Sequence, residues 1–139
     1  MQWSRAGCLL ALAVSFTAAA GPRLDYTLHC MGCHGDDGAG APPEIPSLKD
    51  RVGYYFEVPG GREYLVQVPG ARQAPLDDAA LAQLLNWIVA AFGGASITAP
   101  APPYDVAEVT RLRADPPNDI AAVRRGLEAA ILEKHPGAY

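Results

Sequence analysis

Two cysteines three residues apart, followed at once by a histidine, constrain this chain more than any other feature. Residues 30–34 read Cys30-Met31-Gly32-Cys33-His34. This C-x-x-C-H pattern is the covalent attachment motif of a c-type haem, because two thiols about one helical turn apart can each add to a haem vinyl group and form two thioethers. The next residue, His34, then lies under the iron as its proximal ligand. The motif therefore predicts one covalent haem c, attached through Cys30 and Cys33.

Three other chemistries use two cysteines at this spacing. A thioredoxin-like redox pair needs a βαβ context, and no such pattern is visible. A structural zinc site needs a second pair of ligands, for which only His29 and the distant His135 remain. A plain disulfide between Cys30 and Cys33 is the third alternative, and an oxidising compartment would permit it. Haem attachment is the interpretation that we favour, and the other three stay open at this point.

The first twenty residues have the features of a secretory signal peptide. Arg5 supplies positive charge, residues 6–16 form an apolar run, and Ala18-Ala19-Ala20 offers a small-residue cleavage site before Gly21. The run is shorter than the about 20 apolar residues that span a bilayer, although an uncleaved N-terminal anchor is the alternative. We therefore expect residues 1–20 to be a cleaved signal, with a periplasmic location and no stable membrane insertion afterwards.

Composition and charge narrow the class of protein further. The 139 residues suit one domain, and 50% hydrophobic with 19% charged residues allow a globular core. The net charge is −4 and becomes −5 once Arg5 leaves with the signal, which argues against nucleic-acid binding and favours a partner with a basic patch. The 14 Gly and 13 Pro, without any long polar–apolar alternation, predict helices joined by loops rather than sheets.

The residues around the motif resemble the small monohaem class I cytochromes c. In that family an aromatic residue four positions before the first cysteine packs on the C-terminal helix. Tyr26 occupies this position, and Trp87 is its expected partner. The family usually has a glycine where this chain has Pro22, with Gly21 one residue earlier. The resemblance therefore implies a crossing of the first and last haem-domain helices that differs slightly from the usual one.

The resemblance continues after the motif. His34 is followed by a glycine-rich loop over residues 35–40, and then by Pro46-Ser47-Leu48, which matches the P-x-L of the family. The resemblance implies that the Pro46 carbonyl accepts the Nδ1 proton of His34 and that Leu48 packs on the haem. Such an outer-shell hydrogen bond fixes the tautomer and orientation of a ligating histidine.

The resemblance covers residues 21–94, and it implies an all-α, class I cytochrome c-like fold around a covalent haem. Helices are expected over about 22–33 and 77–92, the second capped by the acidic pair at its start. Residues 61–68 predict a short helix with Tyr64 and Leu65 facing the haem, ended by Pro69-Gly70. A β-strand is the alternative there, because Val66 and Val68 are β-branched.

The rest of the chain lies outside this resemblance. Residues 95–103 form an Ala/Pro linker, and residues 104–139 form a C-terminal helical extension with two amphipathic stretches. Asp105 is expected to cap the first stretch, and Asn118 or Asp119 the second. The extension is too small to bury a core of its own, so it either wraps the cytochrome domain or binds a partner.

The usual second iron ligand is missing. Most class I cytochromes use a methionine from a loop before the last helix, and the corresponding loop here, residues 69–75, has none. Met1 would leave with the signal, and Met31 lies between the two haem cysteines and cannot reach the other face. Methionine ligation is therefore excluded within the mature chain, and an open or water-occupied iron is the interpretation we favour.

Protein ligands other than methionine stay open. His29 adjoins Cys30 and is expected to be a partly exposed surface histidine, whereas His135 could reach the iron only if the extension folds over the haem. Arg72 and Gln73 occupy the methionine loop, where an arginine could hydrogen-bond a water, an anion or a haem propionate but is a poor ligand. The remaining candidates are two lysines and three tyrosines: Lys49, Lys134, Tyr54, Tyr55 and Tyr64.

Two functions follow from these patterns. The first is a periplasmic one-electron carrier, not an enzyme, which serves a redox partner such as a dehydrogenase or a terminal acceptor. The second is a small-ligand-binding or peroxidatic haem protein with an open distal iron, and its support is the missing methionine.

Overall fold

The computed structural model describes residues 21–139, in which helices and loops account for nearly all of the chain. The α-helices are α1 Pro22–His29, α2 Met31–His34, α3 Gly61–Gln67, α4 Pro69–Arg72, α5 Asp78–Phe92, α6 Val106–Ala114 and α7 Ile120–Lys134. Two short 3₁₀ helices cover Val52–Glu57 and Gly94–Ser96. The extended pairing within this range is one isolated bridge between Ala41 and Ile45. The all-α prediction is confirmed, whereas the predicted signal peptide lies outside the described residues.

Helices α1 and α5 cross through an aromatic cluster. Tyr26 is 2% exposed, and its ring centroid lies 5.3 Å from that of Trp87 and 5.0 Å from that of Phe92. The predicted contact between Tyr26 and Trp87 is thus confirmed. A Cβ atom added to Gly21 would meet nothing within 4 Å. Gly21 therefore does not take the place of the family's glycine in a close approach of the two helices.

The first helix is shorter than predicted. Cys30 has φ −125° and ψ −38°, outside the α-helical region, so α1 ends at His29 and α2 starts at Met31. The carbonyl of Cys30 then accepts from the N–H groups of both Cys33 (3.2 Å) and His34 (3.0 Å). The expected continuous helix over 22–33 is therefore broken at the first cysteine, because that residue's backbone leaves the helical geometry.

The middle segment forms a helix rather than the alternative strand. Helix α3 starts after Gly60, and its buried residues include Tyr64 and Val66. The segment ends at Pro69-Gly70 as predicted, because α3 stops at Gln67 and Pro69 begins a separate four-residue helix, α4. Proline suits this position because its φ is fixed near the helical value and its missing N–H would have no partner there.

The extension packs on the rest of the molecule. Helix α6 packs on α3 and α5, and α7 packs on α3 and on the 3₁₀ helix Val52–Glu57. Asp105 caps α6 by accepting from the Glu108 N–H, and Asp119 caps α7 by accepting from the Ala122 N–H, both at 2.8 Å. The extension was expected either to wrap the cytochrome domain or to bind a partner, and this packing supports the first role.

The extension shares its core with the preceding residues. Tyr104, Val109 and Leu112 are buried in the cluster that contains Tyr26, while Leu127 and Ile131 of α7 are buried in a second cluster. The second cluster also contains Tyr55, Val58, Tyr64 and Ala138. Each cluster contains residues from before position 94 and from after position 104. The division into 21–94, 95–103 and 104–139 therefore stays a prediction. Between residues 21 and 139, no helix has both the length and the apolar character needed to cross a membrane.

Candidate functional site

A cavity of about 540 Å³ opens between α2, the loop that follows it, and helices α3, α5 and α7. This volume lies within the range of cofactor and ligand sites. Cys30, Cys33 and His34 all contribute to its wall. Most of the remaining wall is apolar and includes Leu48, Val52, Leu65, Leu81, Leu84, Leu85, Ile88 and Val89. The cavity is therefore suited to a large apolar group held at one end by two thiols and an imidazole.

The imidazole of His34 is oriented by the loop opposite it. Its Nδ1 lies 3.1 Å from the carbonyl oxygen of Pro46. Burial lowers the pKa of His34, and the bond to Pro46 acts in the opposite direction to a smaller extent. With Nδ1 donating its proton to Pro46, the lone pair resides on Nε2, which is the form in which a neutral imidazole binds a metal. The structure brings His34, Pro46 and Leu48 together at one cavity, in the arrangement that the resemblance implies.

A tight loop holds Pro46 in this position. The N–H of Gly40 donates to the carbonyl of His34 at 2.8 Å, and Ala41 and Ile45 exchange a pair of hydrogen bonds at 3.0 Å. Gly40 has φ +67°, and a Cβ atom there would lie 2.7 Å from the carbonyl oxygens of both Ile45 and Pro46. Because a side chain at this residue would collide with those carbonyls, only glycine lets the loop approach closely enough.

The first cysteine lacks the electrostatics of a redox-active thiol or a zinc ligand. Burial, with smaller contributions from Asp25 and Cys33, raises the pKa of Cys30 to about 11. Catalytic dithiols and zinc ligands need thiolates, and their pKa values are lowered instead. Both thiols are free, and no cluster of three or more acidic, histidine or cysteine side chains between residues 21 and 139 could hold a metal ion. The raised pKa of Cys30 weighs against a redox-active dithiol and a zinc site, both of which need thiolates.

Several candidates for a second iron ligand are engaged elsewhere. His135 Nε2 lies 2.8 Å from Glu57 Oε2, and its ring stacks on Tyr54 with centroids 4.7 Å apart. Lys134 pairs with the same carboxylate at 2.8 Å. The described cavity wall contains none of the following: His135, Lys134, Lys49, Tyr54, Arg72 and Gln73. His29 does contribute to the wall, but it belongs to the attachment segment.

Two of the candidate tyrosines face the cavity. Tyr55 and Tyr64 both contribute to its wall, and their rings stack with centroids 5.4 Å apart. Burial is the main cause that raises the pKa of each hydroxyl. Both side chains are therefore neutral phenols at neutral pH and are available as hydrogen-bond donors.

The part of the cavity wall that comes from the extension was not predictable from the sequence. Ile120, Ala121 and Arg124, all in the first half of α7, contribute to the cavity together with Tyr104. The amphipathic pattern of α7 predicts a buried face with Leu127 and Ile131. It contains no signal for the surface on which that face packs, because docking depends on contacts between segments distant in sequence.

Comparisons with known proteins bear on this site. No family model matches the chain. Among similar proteins is cytochrome c-552 of Thermus thermophilus, which is 32% identical over 118 aligned residues that cover 70% of this chain and 90% of that protein. A second cytochrome c-552, from a particular strain of the same organism, is also 32% identical over 118 residues, and the match covers 80% of its length.

Proposed function

The chain belongs to the c-type cytochromes, and on this premise we propose that it is a periplasmic one-electron carrier for a partner oxidoreductase. Membership of the family implies a covalent haem c, the role of an electron carrier rather than an enzyme, and a redox protein as partner. Beyond this, we propose that the compartment is the periplasm and that the partner is a dehydrogenase or a terminal acceptor. The observation that carries the proposal is the pair of thiols and the oriented imidazole at one apolar cavity.

We assign the haem to Cys30 and Cys33 as thioether positions and to His34 as the proximal ligand. When bound, the haem supplies the site that gains and loses one electron. The chain's own residues hold and orient it and exclude water. Pro46 fixes the tautomer of His34, since its carbonyl accepts from Nδ1, and the apolar wall that includes Leu48 keeps solvent from the ring.

Mass spectrometry and absorption spectra test this assignment. The mature chain, expressed with haem maturation machinery, should be heavier than its residues by one haem. Cys30→Ser and Cys33→Ser should each weaken covalent attachment, and His34→Ala should lose the native spectrum. His29→Ala is the matched control, because His29 also contributes to the cavity wall beside the first cysteine and should leave the spectrum unchanged. A mass equal to that of the bare polypeptide would refute the proposal.

The signal-like residues 1–20 support the periplasmic location. We expect the secreted chain to begin at Gly21 and to be recovered in the periplasmic fraction. Amino-terminal sequencing of the purified protein checks this expectation, and a chain that retains Met1 in the membrane fraction would contradict it.

We propose that the redox partner docks beside the attachment motif. Three apolar side chains are exposed there, Leu24 by 50%, Leu28 by 64% and Met31 by 36%. Met31 lies two residues from the exposed Cys33. Transient redox complexes bury little surface area. A charge introduced among these three apolar side chains should therefore slow the formation of the complex. Leu28→Glu should lower the second-order rate of electron exchange with the partner, whereas Leu132→Glu, at a leucine of α7 that is 43% exposed, should not.

A specific observation favours the second function, small-ligand binding or peroxidatic chemistry at an open iron. The described wall of the cavity contains no methionine and no lysine, and its two histidines, His29 and His34, both belong to the attachment segment. Absorption and EPR spectra with and without carbon monoxide separate the two functions. A high-spin ferric form that binds carbon monoxide rapidly once reduced supports ligand binding. A low-spin form that ignores carbon monoxide supports electron transfer, because it shows that a protein side chain holds the second iron position.

A further inference from the structure

Helix α7 brings a positive charge to the haem cavity. Arg124, on the first half of this helix, contributes to the wall beside Ile120 and Ala121. No other arginine and no lysine does so among the described residues, and Glu44 is the acidic residue in the same wall. The cation therefore comes from the extension, a segment outside the part of the chain that resembles class I cytochromes.

The guanidinium of Arg124 has hydrogen-bonding capacity to spare. Its Nε donates to Glu128 Oε1 at 2.7 Å, and its two terminal nitrogens make no hydrogen bond within residues 21–139. Two other half-buried arginines differ. Arg62 donates to both carboxylate oxygens of Glu108 and to two carbonyls, and Arg113 donates to Asp78 and to three carbonyls. Arg124 thus combines a place in the cavity wall with an unused side of its guanidinium.

The Arg124 side chain is half-buried beside the aromatic part of the cavity wall. The side chain is 28% exposed, and its charge acts on the hydroxyl of Tyr64, whose pKa it tends to lower. Tyr64 itself is 6% exposed and contributes to the same wall. A partly desolvated cation beside an apolar cavity gains most from a nearby anion, because water solvates it incompletely there.

We propose that Arg124 binds an anion at the haem, so that the C-terminal extension completes the cofactor site and not only the fold. The planar fork of arginine matches carboxylates and other small anions. Two sources share this chemistry, a propionate of the haem and an exogenous anion at the iron. The inference rests on the proposed covalent haem, and a positive charge in the cavity wall stabilises the reduced form, which carries one more electron.

The test compares neighbouring arginines of α7 in the haem-loaded protein. Arg124→Gln and Arg125→Gln remove the same charge one residue apart, but Arg125 is exposed and does not contribute to the cavity wall. Reduction potential is measured against pH, and azide affinity is measured from the absorption of the ferric protein. Arg124→Gln should shift the reduction equilibrium about tenfold toward the oxidised form, or lower the affinity for azide about tenfold. Arg125→Gln should do neither.

The two readouts identify the source of the anion. If a propionate is the partner, the potential of Arg124→Gln falls by about 59 mV and gains a pH-dependent step, because the unpaired carboxylate can take up a proton. If the anion binds at the iron, azide affinity falls while the potential without azide is unchanged. Arg124→Lys should restore most of either property, since it keeps the charge. Glu128→Gln should change whichever property Arg124→Gln changes, in the opposite direction, because it frees the guanidinium from its present partner.

Equal potentials and equal azide affinities in Arg124→Gln and Arg125→Gln would overturn the inference. That outcome leaves the electron-carrier proposal intact, because wild-type protein with one haem and measurable electron exchange still supports it. Conversely, a wild-type chain without covalent haem would refute the proposed function before either arginine is varied.

Discussion

A single missing side chain keeps His34 oriented. Gly40 lies where the loop after the attachment motif turns back, and its N–H donates to the carbonyl of His34 at 2.8 Å. Any Cβ atom there would press on the carbonyl of Pro46, which is the group that accepts from His34 Nδ1. The orientation of His34, the proposed iron ligand, thus depends on a residue outside the attachment motif.

Gly40→Ala should destabilise the protein and disturb the haem spectrum together. The substitution adds the strain of φ +67°, about 1–3 kcal/mol, and the collision with Pro46 adds to this loss. Gly60→Ala is the control, because Gly60 has φ +82° but a Cβ atom there meets nothing within 4 Å. Urea unfolding should give the larger loss for Gly40→Ala, and only this variant should change the spectrum. Equal losses with unchanged spectra would contradict this account.

Three segments of the chain meet at one carboxylate. Glu57 ends the 3₁₀ helix Val52–Glu57 and accepts from Lys134 and His135, each at 2.8 Å, at the end of α7. Its other oxygen accepts from Thr98 Oγ1. These groups fasten the last helix to the middle of the chain.

This contact should give the protein a distinct acid dependence. The hydrogen bonds from Lys134, Thr98 and His135, in that order, hold the pKa of Glu57 at about 2, below its usual 4.5. A carboxylate with a lowered pKa stabilises the fold above its unfolded pKa, and that stability is lost as the pH falls from about 4.5 toward 2. Urea midpoints measured from pH 7 to pH 2 should therefore fall less steeply for Glu57→Gln than for the wild type. Glu133→Gln, at an exposed residue of α7, should behave as the wild type, and parallel curves for all three proteins would refute the assignment.

The sequence predicted most elements but not how they meet. The start of α5 after Asp77 and the caps at Asp105 and Asp119 follow from local side-chain chemistry, and the structure contains all three. The break at Cys30 was not predicted, because it depends on backbone geometry that the residue types do not encode. The short helix after Val68 was not predicted either, although proline suits a first helical position. Site residues close in sequence were likewise predictable, whereas the contribution of Arg124 required the docking of α7.

At the scale of the whole molecule, both apolar clusters extend across the predicted domain limits. Val109 and Ile131 are both fully buried, yet they belong to the extension and pack against residues before position 94. Tyr104 adds a hydrogen bond from its hydroxyl to the carbonyl of Arg62 at 2.8 Å. Without the extension, residues 21–94 would therefore expose apolar side chains that it now covers.

A chain that stops after Pro103 should lose cooperative folding. Each large buried side chain is worth about 1.5–3 kcal/mol, and several are removed together, so the loss is comparable with the total stability of a typical domain. Thermal melts followed by near-UV circular dichroism check this outcome. A truncated chain with an unchanged melt would instead establish residues 21–94 as an independent domain.

Two adjacent residues of α7 give the same test without truncation. Ile131 is fully buried and Leu132 is 43% exposed. Ile131→Ala should cost about 2–5 kcal/mol because it leaves a cavity in the core. Leu132→Ala should cost far less in the same urea titration, and similar costs would show that α7 does not depend on this face.

The distance in sequence between Arg124 and the attachment motif has a consequence for assembly. Cys30, Cys33 and His34 contribute one side of the cavity wall, whereas Ile120, Ala121 and Arg124 of α7 contribute another. The wall is therefore complete only once α7 has packed on the rest of the molecule. We expect a flat cofactor to enter most easily before that packing, so the order of haem attachment and α7 docking should affect the yield of loaded protein.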